Sequence, residues 1–584
     1  MYASSPTQRF SLSLLFNLSS SLLRSIMDSF SDQRRKRNHL SPPLFLSFSI
    51  LLSLFLFLNH FHYSFHSSTS HSLLLSTPLR LHHGILFPHH VLLTLSNPHH
   101  TLPPPNHLQC LFYTPLNHLH VEPVLSTDRF DQLSSIVRCP LPATSSNFSA
   151  VDLRRRGDPG GGTLAALDNQ TVLSWNNLAY VAELDGDTAV VFVKGLNLRP
   201  HRISDPTRFQ CHFGLTGSQN AAFSITTKAV TVAQEVVRCS LPHSIKNYHD
   251  KAEEISQITV TVSHVTGHVR HPVREVMPSV ARVHGYTARN NGGARKNKHE
   301  LCACTMVWNQ ARALREWVMY HSWLGVERWF VYDNNSDADD GIDGVVKDLD
   351  AKGYNVSRVT WPWIKTQEAG FSHCALKAKE HCNWVAFFDV DEFFHFPNEL
   401  GDRKNALRSV VSNLSSSNSV AEIRTECRSF GPSGLRSHPK RGVSLGYTCR
   451  VRSSERHKSI VRPEMIDASL LNVVHHFELR EGYGHRNIGE GSMVVNHYKY
   501  QVWESFKAKF HRRAATYVVD WHQDLCKASK DRVPGLGTQA VEPADWRFRF
   551  CEVWDTGLRD FLLSNFVDPV TGLMPWETSN ERED

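Results

Sequence analysis

Between Asp32 and Glu122 the sequence has no aspartate or glutamate, and between Arg37 and Arg80 no lysine or arginine. The first gap keeps carboxylate chemistry out of residues 33–121 of this 584-residue chain. There is no Gly-x-Gly-x-x-Gly and no Walker lysine, which argues against a dinucleotide or a P-loop nucleotide. No second group of His and Asp stands at ligand spacing, as a two-metal phosphodiesterase would need. No convincing small-x-small cleavage site follows Leu58, residues 67–72 being the nearest, which argues against a cleaved signal peptide.

What fills the second gap is an apolar run, residues 44–58, LFLSFSILLSLFLFL, behind the basic group Arg34, Arg35, Lys36 and Arg37. This order predicts an uncleaved anchor over 41–61, a cytosolic tail over 1–40 and a lumenal remainder, a type II Golgi topology. Met27 offers a second start within that tail. The His-rich stretch 62–87 reads as a solvated stem, since its spacing fits no metal template. Asn147, Asn169, Asn355 and Asn413 open sequons that suit a lumenal chain; Asn334 matches too, but sits in a turn expected to stay bare. The chain is long enough for two or three domains. Its composition, 41% hydrophobic and 20% charged, is that of a globular protein; the net charge of +7 is largely local, and no nucleic-acid partner is expected.

Residues 88–285 contain an internal repeat. Gln109-Cys110-x-Phe112 leads to Val137-Arg138-Cys139-Pro140, and Gln210-Cys211-x-Phe213 leads to Val237-Arg238-Cys239-Ser240. Strand-like runs precede each first cysteine, and residues 255–265 alternate like a half-buried strand. A period near one hundred residues predicts β-sandwich modules with local disulfides Cys110–Cys139 and Cys211–Cys239. Such a region serves either as a carbohydrate-binding module or as a structural spacer. Residues 286–299, with Asn290-Asn291-Gly292-Gly293, read as a linker.

From residue 300 to 575 strand and helix patterns alternate, which predicts a Rossmann-like parallel sheet. The central stretch is residues 384–397, WVAFFDVDEFFHFP: a strand that wants burial on both faces, running into Asp389, Asp391 and Glu392. Three carboxylates in four residues repel unless a cation lies among them, and a divalent metal is the simplest one. The carboxyl end of such a strand is where ligands bind. Metal held by Asp391 would bridge the diphosphate of a nucleotide sugar. The alternative is an acidic turn after a core strand.

Several blocks carry a family resemblance. They are Asn309-Gln310-Ala311-Arg312, Arg315-Glu316-Trp317-Val318-x-Tyr320-His321, Tyr332-Asp333-Asn334-Asn335-Ser336, Asp389-Val390-Asp391-Glu392-Phe393, Phe430-Gly431-Pro432-Ser433-Gly434, His457 through Pro463, and Asn496-His497-Tyr498. In this order they resemble glycosyltransferase family 92 over about Cys302 to Arg513, most closely the plant branch that includes the β-1,4-galactan synthases. Many animal members have Asn-Glu where this chain has Asn309-Gln310, which fits the plant branch. The resemblance implies a GT-A catalytic domain, inversion at the sugar and a divalent cation such as Mn²⁺. It places Asp389, Asp391 and His497 at the metal and Asp333 and Asp389 near the nucleotide of a UDP-sugar. Lys458 and Arg462 are candidates for the diphosphate charge.

Inversion also needs a carboxylate base, for which Glu392, Glu426 and Glu478 stand open. The expected architecture is therefore an α/β GT-A domain behind a β-sandwich module and a single N-terminal transmembrane helix, with residues 576–584 as a tail. Its partners would be a UDP-sugar, expected to be UDP-galactose, a glycan or cell-wall acceptor and, as an open option, a second copy in a homodimer. The competing reading is a catalytically silent, membrane-tethered glycan-binding protein.

Overall fold

A computed structural model describes residues 80–577 apart from 97–101, 116–117, 132–133, 144–147, 158–162, 166–171, 216–224, 247–257, 267–272, 285–297, 399–402, 474 and 510–541. The expected architecture needs correction. Among the described residues no helix is long and apolar enough to cross a membrane, and strand far exceeds helix. The apolar run 44–58, the linker 286–299 up to residue 297, and the sequons at Asn147 and Asn169 lie outside the described residues.

The β-rich region is two successive modules. In the first, a five-stranded sheet holds His90–Ser96 between Arg80–Leu86 and Ser134–Pro140, and a four-stranded sheet is built on Leu108–Tyr113; residues 80–87, expected as the end of a solvated stem, belong to this module, with Ile85 and Phe87 buried in it. Leu93, Leu95, Phe112 and Val151 fill the space between the sheets, and the Cys110–Cys139 disulfide joins them. The second module repeats this plan in a curled sheet, with Thr188–Lys194 beside Val236–Ser240 and a Cys211–Cys239 disulfide.

The third layer of the chain is a nine-stranded mixed sheet. Val356–Thr360, Arg328–Asp333, His299–Val307 and Cys382–Phe387 are parallel neighbours, and Glu455–Val461 then runs antiparallel to Cys382–Phe387. Alternation sorts its side chains. Leu301 and Ala303 face the helices Ala311–Trp323 and Ile342–Ala351, whereas Cys302 and Cys304 face the helix Gln367–Ala378. Trp384, Val385, Ala386, Phe387 and Phe388 are all buried, as a strand covered on both faces requires.

The modules do not stand apart from this sheet. Trp175, Tyr180 and Phe192 share one apolar cluster with Trp361, Trp363 and Phe371. At the other end of the chain Trp576 is buried, and its indole donates to the Arg441 carbonyl (2.9 Å), so the expected tail begins no earlier than residue 578.

Candidate active site

The strand Cys382–Phe387 ends under a tight turn. Glu392 N–H donates to the Asp389 carbonyl (3.0 Å), and Asp389 N–H donates back to Glu392 Oε2 (2.9 Å). Glu392–His395 then pairs antiparallel with Val494–His497, which sets Glu392 opposite His497. Tyr498 N–H donates to the Asp391 carbonyl (2.9 Å) and pins the turn from the other side. The backbone thus gathers oxygens of Asp389, Asp391 and Glu392 within 4.8 Å of one another.

Distant stretches supply the opposing charge. Lys458 Nζ lies 2.6 Å from Glu392 Oε1 and 3.9 Å from Asp389 Oδ2. His475 Nε2 is 3.8 Å from Asp389 Oδ2, and Lys509 pairs with Asp391. Burial pushes the Asp391 carboxyl up, but the Lys509 ammonium and His497 outweigh it and hold the group well below the usual range. Asp389 is lowered in the same way, its burial outweighed by Lys458 and His475. Glu392 is raised: complete burial dominates, and the Lys458 ammonium offsets it only in part.

His497 Nε2 is buried and has no hydrogen-bond partner. It sits 3.7 Å from Asp391 Oδ2 and 3.6 Å from Glu392 Oε1, beyond hydrogen-bond reach of both. A buried ring nitrogen set between carboxylates without a hydrogen-bond partner has a lone pair free to bind a cation. An imidazole with carboxylate oxygens also suits Mn²⁺. The residues therefore fit a divalent metal, which Asp391 and His497 would hold with Asp389 beside them.

Asp333 lies on the same carboxyl edge, two strands away. Its Oδ2 accepts from Arg358 Nε (2.9 Å) and Nη2 (2.5 Å), and its Oδ1 accepts from Ser336 N–H (3.0 Å). The first β module reaches this turn. Arg138 donates to the carbonyls of Asn335 (3.0 Å) and Ser336 (2.8 Å), and Asp128 accepts from Arg358 (2.8 Å). The Asn334 amide is committed to the carbonyls of Trp361 (2.8 Å) and Trp363 (3.0 Å).

Four expected roles do not survive this geometry. Arg462 lies past Val461, which pairs with Val385 near the start of the central strand, so it is at the wrong edge of the sheet. There it donates to the Leu414 and Ser415 carbonyls and covers the Trp384 ring (4.7 Å). Glu392 is fully buried and ion-paired, closed to any acceptor hydroxyl. Glu426 is exposed on its strand while Thr425 and Cys427 face inward toward the cluster. Glu478 is exposed on a separate hairpin with 472–473. Of the described sequons, Asn413 is exposed, whereas Asn355 is half-buried with Oδ1 accepting from Arg328 (3.0 Å). Lys509 and His475 went unnoticed because each lies far along the chain from the acidic turn, outside any local motif.

A model of glycosyltransferase family 92 matches residues 297–532. A family 92 glycosyltransferase of Ricinus communis is 53% identical over 514 residues, covering 86% of each chain. One from Arabidopsis thaliana is 52% identical over 508 residues, again 86% of each. One from Oryza sativa is 45% identical over 510 residues, 85% of this chain and 82% of that one. Among solved structures, a Pyrobaculum calidifontis mannosyltransferase in complex with GDP-Man and Mn²⁺ overlaps 41% of this chain and 68% of its own, with 11% identity and a TM-score of 0.23. At that score the likeness is slight.

Proposed function

This chain belongs to glycosyltransferase family 92, and from that premise we propose that it is a metal-dependent, inverting hexosyltransferase of the Golgi lumen. It transfers galactose from UDP-galactose to a cell-wall polysaccharide or glycan. The observation that carries this reading is the cluster of Asp389, Asp391 and His497 at the carboxyl edge of the parallel strands. When bound there, a divalent cation supplies charge stabilisation to the departing diphosphate. Asp391 and His497 would hold it, and Asp389 would orient the nucleotide beside it. Lys458 has a different part from the one its charge suggested: it neutralises Glu392 and so keeps the turn folded. Asp333, already clamped by Arg358, shapes the wall on which the nucleotide rests.

The five disulfides among the described residues suit an oxidising compartment and support the lumenal placement. A silent glycan-binding protein would have no use for an unpartnered His497 aimed at two carboxylates. The test is a screen of the purified full-length chain against UDP-sugars with Mn²⁺. Transfer from UDP-galactose that stops in excess EDTA is the expected result. No turnover with any UDP-sugar would overturn the proposal.

A further inference from the structure

Inversion at the sugar requires one more group, and the three glutamates named from sequence are all misplaced for it. Building on the function proposed above, we infer that Glu455 is the general base that takes the proton from the acceptor hydroxyl. The strand Glu455–Val461 pairs with Val420–Ser429, setting Lys458 opposite Thr425 and Glu455 opposite Cys427. Three steps on one strand thus match two on its partner, which is a β-bulge of one extra residue. Without the bulge, Glu455 and Lys458 would face opposite sides of the sheet. With it, both share a face with Cys427, since directly opposed residues point the same way.

Cys427 marks where that face leads. Its sulfur lies within 4.8 Å of ligand atoms of Glu392 and His497. Glu455 stands about one strand spacing, roughly 4.8 Å, beyond it. Its side chain is 33% exposed, against 0% for Glu392, 10% for Asp391 and 24% for Asp389. It is therefore a rim carboxylate beside the buried cluster of carboxylates and His497. Lys499 Nζ (2.7 Å) and the Tyr500 hydroxyl (3.3 Å) hold it, and both lie within the first few residues after His497 in the chain. Burial pushes its pKa up and the Lys499 ammonium more than offsets that, so the group is ionised and able to accept a proton. Asp555, the neighbouring alternative, is tied to Arg450 (2.6 Å) and Arg428 (3.7 Å).

In the step assigned to it, the acceptor O–H bond breaks and its proton passes to the Glu455 carboxylate. The freed oxygen bonds to the anomeric carbon, and the carbon–oxygen bond to the diphosphate breaks with its electron pair leaving on UDP. The proton is later lost to water. No other reactant is needed.

The experiment compares full-length wild type with Glu455→Gln and Glu455→Ala, using Mn²⁺–UDP for binding and, for transfer, UDP-galactose with a β-linked galacto-oligosaccharide. Glu455→Gln should bind Mn²⁺–UDP within about threefold of wild type yet lose roughly a hundredfold or more in kcat, as loss of a general base does. Azide needs no deprotonation, so it should restore UDP release in Glu455→Ala and yield an inverted glycosyl azide. A merely structural Glu455 would give neither the split nor the rescue. If Glu455→Gln melts early, the azide arm decides: UDP release restored in Glu455→Ala supports the assignment, and its absence overturns it. Glu455→Gln keeping more than a tenth of the rate, or azide failing while UDP still binds, also overturns it. If wild type itself transfers nothing, the proposed function falls first and this assignment with it.

Discussion

Replacing Arg138 by methionine tests whether the first β module is part of the donor site. The substitution keeps the apolar stem and removes the guanidinium. Arg138 is buried and donates to Asn335 O (3.0 Å), Ser336 O (2.8 Å) and Ser126 Oγ (2.6 Å). Burial lowers its pKa and Asp128 and Asp337 oppose that, so the lost group is a partly compensated cation. A hydrogen bond from a charged donor contributes about 1.5–3 kcal/mol, and two carbonyls would be left unpaired. Relief of repulsion with Arg358 reduces the loss. A net cost of roughly 3 kcal/mol is expected, a sizeable share of the ~5–15 kcal/mol that holds a domain folded.

Because both carbonyls lie in the turn after Asp333, the loss should loosen that turn more than the sheet beneath it. Calorimetric titration with Mn²⁺–UDP should show binding weakened on the order of tenfold, and thermal unfolding should show a fall of a few degrees. Arg138→Lys, a point charge that cannot fork across two carbonyls, should fall between. Wild-type UDP affinity and an unchanged melting temperature in Arg138→Met would refute the reasoning.

Other outcomes follow from the same geometry. Asp391→Asn should lower Mn²⁺-dependent transfer about a hundredfold or more, the scale for one lost electrostatic contact, with little change in the melting temperature of the metal-free protein; wild-type rates would sink the metal assignment. Arg462→Ala should leave Mn²⁺–UDP affinity unchanged in titration, since its guanidinium covers Trp384 at the opposite edge. Glu316 is fully buried, and burial pushes its pKa from 4.5 up to about 7 against hydrogen bonds from Ser444 and Val443. The folded state thus holds this proton more tightly than the unfolded chain does. Stability is favoured below 4.5, is lost as pH rises to about 7 and is flat above, a span of roughly 3 kcal/mol at 1.36 kcal/mol per unit. Denaturant titrations across that window should show Glu316→Gln gaining on wild type as pH rises.

The central strand and its acidic turn were legible because both are local: five apolar residues followed by three carboxylates within four positions leave few arrangements. The paired cysteines of the repeat were legible for the same reason. Lys458 and Arg462 show where local reading stops. Lys458 lies within the strand Glu455–Val461 and Arg462 just past its end, and the extended chain between them spans roughly 13 Å. One charge therefore reaches the carboxylates while the other packs at the far edge. The base was illegible because residue type does not report burial: Glu392 sits within the motif but is sealed, and Glu455 is brought round by a bulge that no pattern of apolar residues announces. The packing of Trp175 and Tyr180 against Trp361 and Trp363 joins residues too far apart in sequence for any periodicity to reveal. An apolar run suggested the membrane helix, and the described residues contain no such helix.

The strand His299–Val307 carries Cys302 and Cys304 side by side on one face, bonded to Cys382 and Cys374. The native loops span 80 and 70 residues. Exchanging the partners would close loops of almost the same two lengths. Loop-closure entropy varies only with the logarithm of length, so it does not distinguish the native pairing from the crossed one. The choice falls to packing, once the helix Gln367–Ala378 and the strand Cys382–Phe387 have docked. Oxidation that outruns docking would yield a crossed isomer of identical mass with a misplaced helix. Recovery of active protein therefore depends on keeping thiol–disulfide exchange open until the sheet has formed, as a disulfide isomerase does.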